Sequence, residues 1–261
     1  MASNDSLAKT IKVVVGVSLV CSIVVSLAAV GLRGMQQQNA AEDKQKNILA
    51  VSGVDLAGRD VAKVYAEVIE PKVVDIETGE FVSDDKVNPA TFEQRKAAKD
   101  PDTSIRLSGE EDIAGIVRRS NLASVYLVKN DQGEVERVIL PVHGRGLWST
   151  MYAFLAVQPD GNTIDAIVYY DQGETPGLGG EVANPLWQAK FEGKKLYDEN
   201  GDVAINIIKG SAPEGSPHKV DGLSGATLTS NGVDHTFKFW LSDKGFGKFL
   251  AKLQQGGLNN G

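Results

Sequence analysis

The chain has 261 residues, of which 42% are hydrophobic and 23% are charged, and its formal net charge is -7. This composition is ordinary for a folded globular protein and excludes a disordered or fibrous one. The acidic balance argues against nucleic acid as a partner, because phosphate binding needs basic patches. The single cysteine, Cys21, excludes a disulfide within one chain and an iron-sulfur cluster held by cysteines.

A long apolar segment near the N-terminus predicts a transmembrane helix. Residues 13–32 are 20 consecutive residues without a charge, bounded by Lys12 and Arg33. At about 1.5 Å per residue they span roughly 30 Å, the thickness of the hydrocarbon core of a bilayer. A cleaved secretory signal has a shorter apolar region of about 7–15 residues, and residues 27–30 form a poor cleavage site. We therefore expect an uncleaved, single-pass anchor.

The charges that flank this segment do not by themselves decide its orientation, since basic residues lie on both sides. A short basic N-terminal tail normally stays in the cytoplasm, and a long domain can cross the membrane regardless of its own charges. We expect residues 1–12 to be a cytoplasmic tail and the body of the chain to lie across the membrane.

The segment after the anchor is predicted to hold a stalk, a docked helix and an irregular stretch. Residues 36–46 are polar, which is typical of a helical or flexible stalk. Asp60 precedes apolar residues at helical spacing over 61–69, and this pattern predicts a helix that Asp60 caps and Pro71 ends. Residues 75–102 hold many charges and little periodicity, so we expect an irregular path over the surface.

Beyond residue 119 the pattern changes to short runs rich in Val, Ile, Tyr and Phe, which is typical of strands. The connections at 130–133 and 159–162 are too short for a helical crossover, so they join antiparallel neighbours. Apolar residues at helical spacing then predict two short helices split near Gly245, followed by a loose tail at 254–261. The predicted strands are 122–128, 135–140, 152–157, 163–170 and 203–208.

These elements predict an α+β fold, in which a twisted antiparallel sheet is flanked by helices and one N-terminal transmembrane helix tethers the domain. The predicted organisation is a cytoplasmic tail at 1–12, the anchor at 13–32, the stalk, docked helix and irregular segment at 33–119, and a ligand-binding domain with C-terminal helices at 120–261.

Residues 221–227, Asp-Gly-Leu-Ser-Gly-Ala-Thr, form the most informative motif. Small residues around a hydroxyl let a large group reach that oxygen. A Gly-Ala turn before a helix capped by Ser230 is the alternative that a shorter match would favour. The full pattern resembles the signal of proteins flavinylated by a dedicated FMN transferase, whose last threonine carries FMN through a phosphoester. The resemblance implies covalent FMN on Thr227, with Thr229 as the reserve acceptor. It also assigns cofactor binding to Asp221, Ser224, Gly225 and Ala226.

Two further motifs are assigned to the same ligand by this resemblance. Residues 173–181 follow a predicted strand and lack any Rossmann or P-loop pattern, and the alternative is a flexible loop. Residues 144–148 read Gly-Arg-Gly-Leu-Trp, whose apolar pair could wall a planar ligand or belong to the core. In the first motif the resemblance implies that Thr175 hydrogen-bonds the ring system and Leu178 packs on it. The residues assigned to the cofactor are Glu174, Thr175, Gly177, Leu178, Leu147 and Trp148.

Two other residue types bear on the site. Lys209 follows the last predicted strand and is assigned to the phosphate charge, with a solvated lysine as the alternative. The three histidines, His143, His218 and His235, have no mutual metal-ligand spacing and no cysteine partners, so no metal site is predicted.

Taken with the anchor and the length, these motifs resemble the covalent FMN-binding domain family, and in particular the C subunit of the Na⁺-translocating NADH:quinone oxidoreductase. The resemblance covers about residues 120–245. It implies a protein that is not catalytic alone and relays electrons between the other subunits of a respiratory complex in the bacterial inner membrane, with its domain on the periplasmic side. It also implies an FMN transferase as the partner during maturation.

Two alternatives remain at this point. The G subunit of the Rnf complex shares the flavin signal and the anchor, although the long stretch between anchor and sheet favours the first assignment. A membrane-anchored binding module without a cofactor is the alternative from a different class of function.

Overall fold

The computed structural model describes residues 7–256, so the first half of the predicted tail at 1–12 and the last five residues of the chain lie outside the described residues. The chain divides into two compact units, one up to Gln45 and one from Lys46 onward. Helix α1 (Leu7–Ser52) contains the predicted anchor and continues through the predicted stalk, which is therefore helical. Its apolar part is unburied, and it is long and apolar enough to cross a membrane.

The second unit contains ten strands and five further helices among the described residues. The strands are β1 (Ile69–Asp75), β2 (Glu80–Phe81), β3 (Ser104–Arg106), β4 (Arg118–Ser120), β5 (Leu122–Lys129), β6 (Val135–Arg145), β7 (Thr150–Val157), β8 (Ile164–Asp171), β9 (Asn206–Ile208) and β10 (Lys219–Asp221). The helices are α2 (Val61–Val68), α3 (Gln94–Ala97), α4 (Pro185–Gln188), α5 (Thr227–Trp240) and α6 (Gly247–Gln254), with 3₁₀ turns at Gly179–Ala183 and Ala189–Phe191.

A six-stranded sheet in the order β2-β1-β5-β6-β7-β8 organises this unit, and all of its pairings are antiparallel. The predicted α+β fold is thereby confirmed. The short loops after β5 and β7 join neighbouring strands, as their length requires. The predicted cap of α2 is also present, since the carboxylate of Asp60 accepts a hydrogen bond from the backbone amide of Lys63 at 3.0 Å.

The sequence missed strand β1, which contains Pro71. Helix α2 ends at Val68, and the chain then pairs with β5 along the whole of β1. On the other side of β1, strand β2 pairs only with Val74 and Asp75, so Pro71 faces no partner there and its missing N–H costs no ladder bond. The sheet therefore includes a strand from before residue 120, and the compact unit begins at Lys46.

The predicted strand 203–208 does not join the main sheet, which corrects the expectation of one antiparallel sheet. Only its end, β9, is a strand, and it pairs in parallel with β10. Helix α5 holds it there, because Asp234 of that helix accepts a hydrogen bond from the backbone amide of Ile207 at 3.0 Å.

The main sheet has a hydrophobic core on each face. Successive side chains of a strand point to opposite faces, and β7 shows this directly, because Phe154 belongs to one core and Leu155 to the other. The larger core holds the C-terminal helices, and the smaller one holds α2 and the end of α1. The residues predicted to be core in the C-terminal helices are all buried, namely Phe237, Trp240, Leu241, Phe246, Phe249, Leu250 and Leu253.

The end of α1 should be essential to the stability of the second unit, because Ile48, Leu49 and Val51 are at most 1% exposed. A chain that starts at Gly53 loses these side chains, each of which contributes about 1.5–3 kcal/mol when buried. We expect its free energy of unfolding in urea to fall by several kcal/mol relative to a chain that starts at Lys46. A chain that starts at Gln36 is the matched control and should equal the Lys46 chain. Equal stability of all three would show that the end of α1 is not part of the core.

Candidate functional site

Three segments that are far apart in sequence meet at one end of the main sheet. The turn at 146–149 joins β6 to β7, the loop at 172–178 leaves β8 at the same end, and helix α5 begins there. Between them lies a cavity of about 230 Å³. Its lining residues are Leu147, Trp148, Glu174, Thr175, Leu178, Gly179, Gly225, Ala226, Thr227, Leu228 and Thr229.

The carboxylate of Glu174 connects all three segments. One oxygen accepts hydrogen bonds from the backbone amides of Trp148 and Ser149, at 2.9 and 3.0 Å. The other accepts from the amide of Leu147 at 3.1 Å and from the hydroxyl of Thr229 in α5 at 2.7 Å. Glu174 is only 5% exposed, so these four donors replace most of the water that the carboxylate would have in solution.

The hydrogen bonds also decide the charge of this residue. Burial alone would raise the pKa of the Glu174 carboxyl, because it disfavours the charged form. The hydroxyl of Thr229 and the amides of Trp148, Ser149 and Leu147 outweigh burial and hold the pKa below its ordinary value of 4.5. Glu174 is therefore an anion at neutral pH.

Two glycines are required by this carboxylate. A Cβ on Gly146 would lie 2.6 Å from a carboxylate oxygen of Glu174. A Cβ on Gly179 would lie 2.5 Å from the hydroxyl oxygen of Thr229 and 2.8 Å from the other carboxylate oxygen. From the sequence, we interpreted the glycines in these motifs as positions that let a ligand approach the backbone closely. For these two, the structure supplies a different reason, which is the close packing of Glu174.

Helix α5 presents its N-terminus to the cavity. It begins at Thr227, and the preceding Ala226 provides no side-chain cap. The first amides of a helix have no partner within the helix and carry a partial positive charge, so they favour an anion such as phosphate. The two hydroxyls of this turn differ, because Thr227 is exposed whereas Thr229 is 1% exposed and donates to Glu174.

The rest of the lining is apolar and unusually exposed. The exposed fractions are 43% for Leu147, 66% for Trp148, 45% for Leu178 and 59% for Leu228. Four large apolar side chains that face one cavity would be covered by a flat, partly apolar ligand. Together with the open helix N-terminus beside Thr227, they fit the ring system and the phosphate of FMN.

The structure brings most of the predicted site residues together and leaves a few outside. Asp221 does not line the cavity. Its carboxylate accepts a hydrogen bond from the amide of Ala212 and forms an ion pair with Lys190, so it stabilises the chain before the motif. Ser224, Gly177 and Lys209 are exposed and do not line the cavity either. The N-terminus of α5 supplies partial positive charge at Thr227.

Sequence reasoning missed two lining residues and the connecting role of Glu174. Gly179 and Leu228 line the cavity, and Thr229 does so as a hydrogen-bond donor and not as a free hydroxyl. Leu228 was detectable as an apolar residue between two threonines at the start of a helix. Among residues 7–256 no group of three or more His, Cys, Asp or Glu side chains could hold a metal ion.

Residues 146–242 match the model of the FMN-binding domain family, and this range contains all three segments of the site. The chain is 62% identical over 259 residues to the C subunit of the Na(+)-translocating NADH-quinone reductase of Vibrio vulnificus, covering 99% of this chain and 100% of that protein. It is 52% identical over 262 residues to the protein of the same name from Yersinia pestis, covering 99% and 97%.

Two solved structures resemble the fold. The crystal structure of NqrC from Shewanella oneidensis has a TM-score of 0.76 and 38% identity, covering 82% of this chain and 98% of that chain. The crystal structure of the C subunit of the Na(+)-translocating NADH-quinone reductase from Parabacteroides distasonis has a TM-score of 0.65 and 31% identity, covering 84% and 96%.

The fold and the site thus define a protein with an FMN-binding domain and an apolar N-terminal helix. This chain belongs to the family formed by the C subunits of Na(+)-translocating NADH-quinone reductases. The resemblance found in the sequence is confirmed.

The lowered pKa of Glu174 predicts how the stability of the flavin-free chain depends on pH. A carboxyl whose pKa is lower in the folded state stabilises the fold above its unfolded pKa, and this contribution is lost as pH falls through the folded pKa. At neutral pH, we expect Glu174→Gln to lower the free energy of unfolding by about 1–3 kcal/mol. The difference should begin to shrink near pH 4.5, where the carboxyl of the unfolded chain takes up a proton, and should be lost as pH falls through the lower pKa of the folded state.

Urea unfolding between pH 3.5 and 7 measures this difference. The matched control is Glu181→Gln, which removes a carboxylate near the cavity that does not line it. A wild-type advantage that is the same at every pH would contradict a role for ionised Glu174.

Proposed function

We propose that this chain is the FMN-carrying electron-transfer subunit of a Na⁺-translocating NADH:quinone oxidoreductase, with FMN joined to the hydroxyl oxygen of Thr227 by a phosphoester. The observation that carries this proposal is the difference between the two hydroxyls of the motif. Thr227 is exposed beside the cavity, at the first position of α5, whereas the Thr229 hydroxyl is buried and held by Glu174. The family match makes FMN the ligand.

The electrostatics of α5 support attachment at this position. A phosphate on Thr227 would lie at the positive end of a 14-residue helix whose N-cap has no side-chain acceptor. The helix amides can then hydrogen-bond the phosphate without a lysine or arginine in the cavity. This accounts for a phosphate site that has no basic side chain among the described residues of its lining.

The size of the cavity supports a covalent bond. Sites that enclose free ligands usually measure about 300–1,000 Å³, and this cavity holds about 230 Å³. A flavin that the cavity encloses only in part would be held weakly by contacts alone, so a covalent link would keep it on the chain between electron-transfer partners.

The motif is accessible to an FMN transferase during maturation, because Ser224 and Thr227 are both exposed.

The walls of the cavity would hold the ring system. Leu147 and Trp148 on one segment, Leu178 on another and Leu228 on α5 supply apolar surface that excludes water from a bound ring. Thr175 is exposed at the same cavity and can donate a hydrogen bond. Bound FMN supplies reversible electron exchange, and the contacts and local dielectric of the protein tune it.

Electron relay between other subunits is the role that membership in the C-subunit family supports for this chain. The sequence has no Rossmann or P-loop pattern, so we assign NADH and quinone chemistry to the other subunits of the complex. The apolar part of α1 anchors the chain in the bacterial inner membrane as a single pass, and we place the domain on the periplasmic side. The short basic tail before the anchor supports this orientation.

The first test is the loss of the acceptor hydroxyl. Thr227→Val removes the hydroxyl but nearly keeps the shape, so we expect a folded chain without covalent flavin. In-gel fluorescence of the denatured chain measures attachment. Thr229→Val is the matched control and should keep covalent flavin, because its hydroxyl is already committed to Glu174. Full fluorescence of the Thr227→Val chain would contradict attachment at Thr227. Loss of fluorescence in the Thr229→Val chain alone would assign the attachment to Thr229.

The second test concerns orientation and the transferase. Residues 34–261, made without the anchor in the native host, should be soluble and carry flavin only when a cleavable signal exports them. The same residues kept in the cytoplasm are the control and should remain without flavin, because the transferase is expected outside the cytoplasm. Equal covalent flavin in both preparations would contradict the proposed periplasmic domain.

A further inference from the structure

We propose that Glu174 is a positioning residue that lowers the reduction potential of the flavin. It holds a negative charge at the cavity, and it occupies backbone amides that could otherwise stabilise a reduced ring. The inference rests on the proposed function, since it needs flavin in this cavity. It concerns how strongly the flavin holds electrons and not where the flavin is attached.

The first step is the isolation of this charge. In the described part of the chain, Glu174 is the only ionisable side chain that lines the cavity. None of the ion pairs within residues 7–256 includes it, and its hydrogen-bond donors are three backbone amides and the hydroxyls of Thr229 and Ser149. These neutral donors stabilise the carboxylate without cancelling its net charge. The described lining of the cavity therefore carries one negative charge and no cation.

The second step is the direction of the backbone dipoles. The amides of Leu147, Trp148 and Ser149 all donate to Glu174. Two of these residues also present apolar side chains to the cavity, so the turn offers a bound ring apolar surface rather than free N–H groups. Without the carboxylate, the same turn would have three unpaired donors next to the ligand.

The third step is the effect on electron uptake. Reduction adds electrons to the ring, and a nearby fixed anion disfavours any gain of negative charge. Water screens such an interaction poorly when the anion is nearly buried, as Glu174 is. Both the charge and the occupied amides act in the same direction, toward a lower potential. Removing the charge while keeping the turn should therefore raise the potential.

Glu174→Gln is suited to this test because the hydrogen bonds are divided between the two carboxylate oxygens, and glutamine can keep most of them. One carboxylate oxygen accepts from Trp148 and Ser149, and a glutamine oxygen can accept the same two bonds. The glutamine NH₂ can donate to the Thr229 hydroxyl, which reverses the direction of that bond. Only the bond from the Leu147 amide is lost.

The experiment is a spectroelectrochemical titration of the full flavin-loaded chain in detergent. We expect Glu174→Gln to raise the midpoint potential, with at least a tenfold increase in the ratio of reduced to oxidised flavin at the wild-type midpoint. For a two-electron couple a tenfold change corresponds to about 30 mV. Glu181→Gln removes one negative charge outside the lining of the cavity and should leave the midpoint within a twofold change in that ratio.

A Glu174→Gln midpoint equal to that of Glu181→Gln overturns the inference. If Glu174→Gln does not fold, Glu174→Asp separates the effect of the charge from the effect of the hydrogen bonds. This substitution keeps the charge but shortens the side chain, which disturbs the hydrogen bonds. Its midpoint should be no higher than that of the wild type, and a rise would assign the effect to packing of the turn. A wild-type chain without any flavin would instead refute the proposed function.

Discussion

The site depends on the burial of one ionised carboxylate. Taking a charged side chain out of water is costly unless hydrogen bonds compensate, and Glu174 accepts five of them from two other segments of the chain. That requirement fixes the turn between β6 and β7 against the first turn of α5. It also excludes a Cβ at Gly146 and Gly179, where a side chain would collide with the carboxylate or its partner. The cavity is the space that these constraints leave open.

Around this carboxylate the site separates two tasks. The N-terminus of α5 provides an exposed hydroxyl at Thr227 and unpaired amides that suit a phosphate. The turn at 146–149 and the loop after β8 provide apolar walls for a ring. The proposed attachment would thus depend on a local motif, whereas the electronic environment of the proposed flavin would depend on residues that only the fold brings together. The larger core, to which α5 and the strands of the main sheet both contribute side chains, fixes the position of the helix N-terminus relative to the apolar walls.

The sequence predicted the parts of the molecule that local patterns determine. β-Branched runs and short loops located β5 to β8, helical spacing located the C-terminal helices, and the Asp60 cap located α2. Strand β1 was missed because Pro71 argues against a strand, and only the shortness of β2 makes it acceptable. The motifs identified the cavity, but not the connecting role of Glu174, which rests on contacts to residues 25 to 55 positions away. Lys209 was assigned from its sequence position, and no local pattern shows that its side chain does not line the cavity.

The intact mass of the denatured full chain, purified from its native membrane, tests the central claim most directly. A phosphoester predicts a mass greater than that of the sequence by one FMN less one water, with the increase on the peptide that contains Thr227. A chain whose mass equals that of its sequence, in a preparation that still contains the other subunits, would contradict the account.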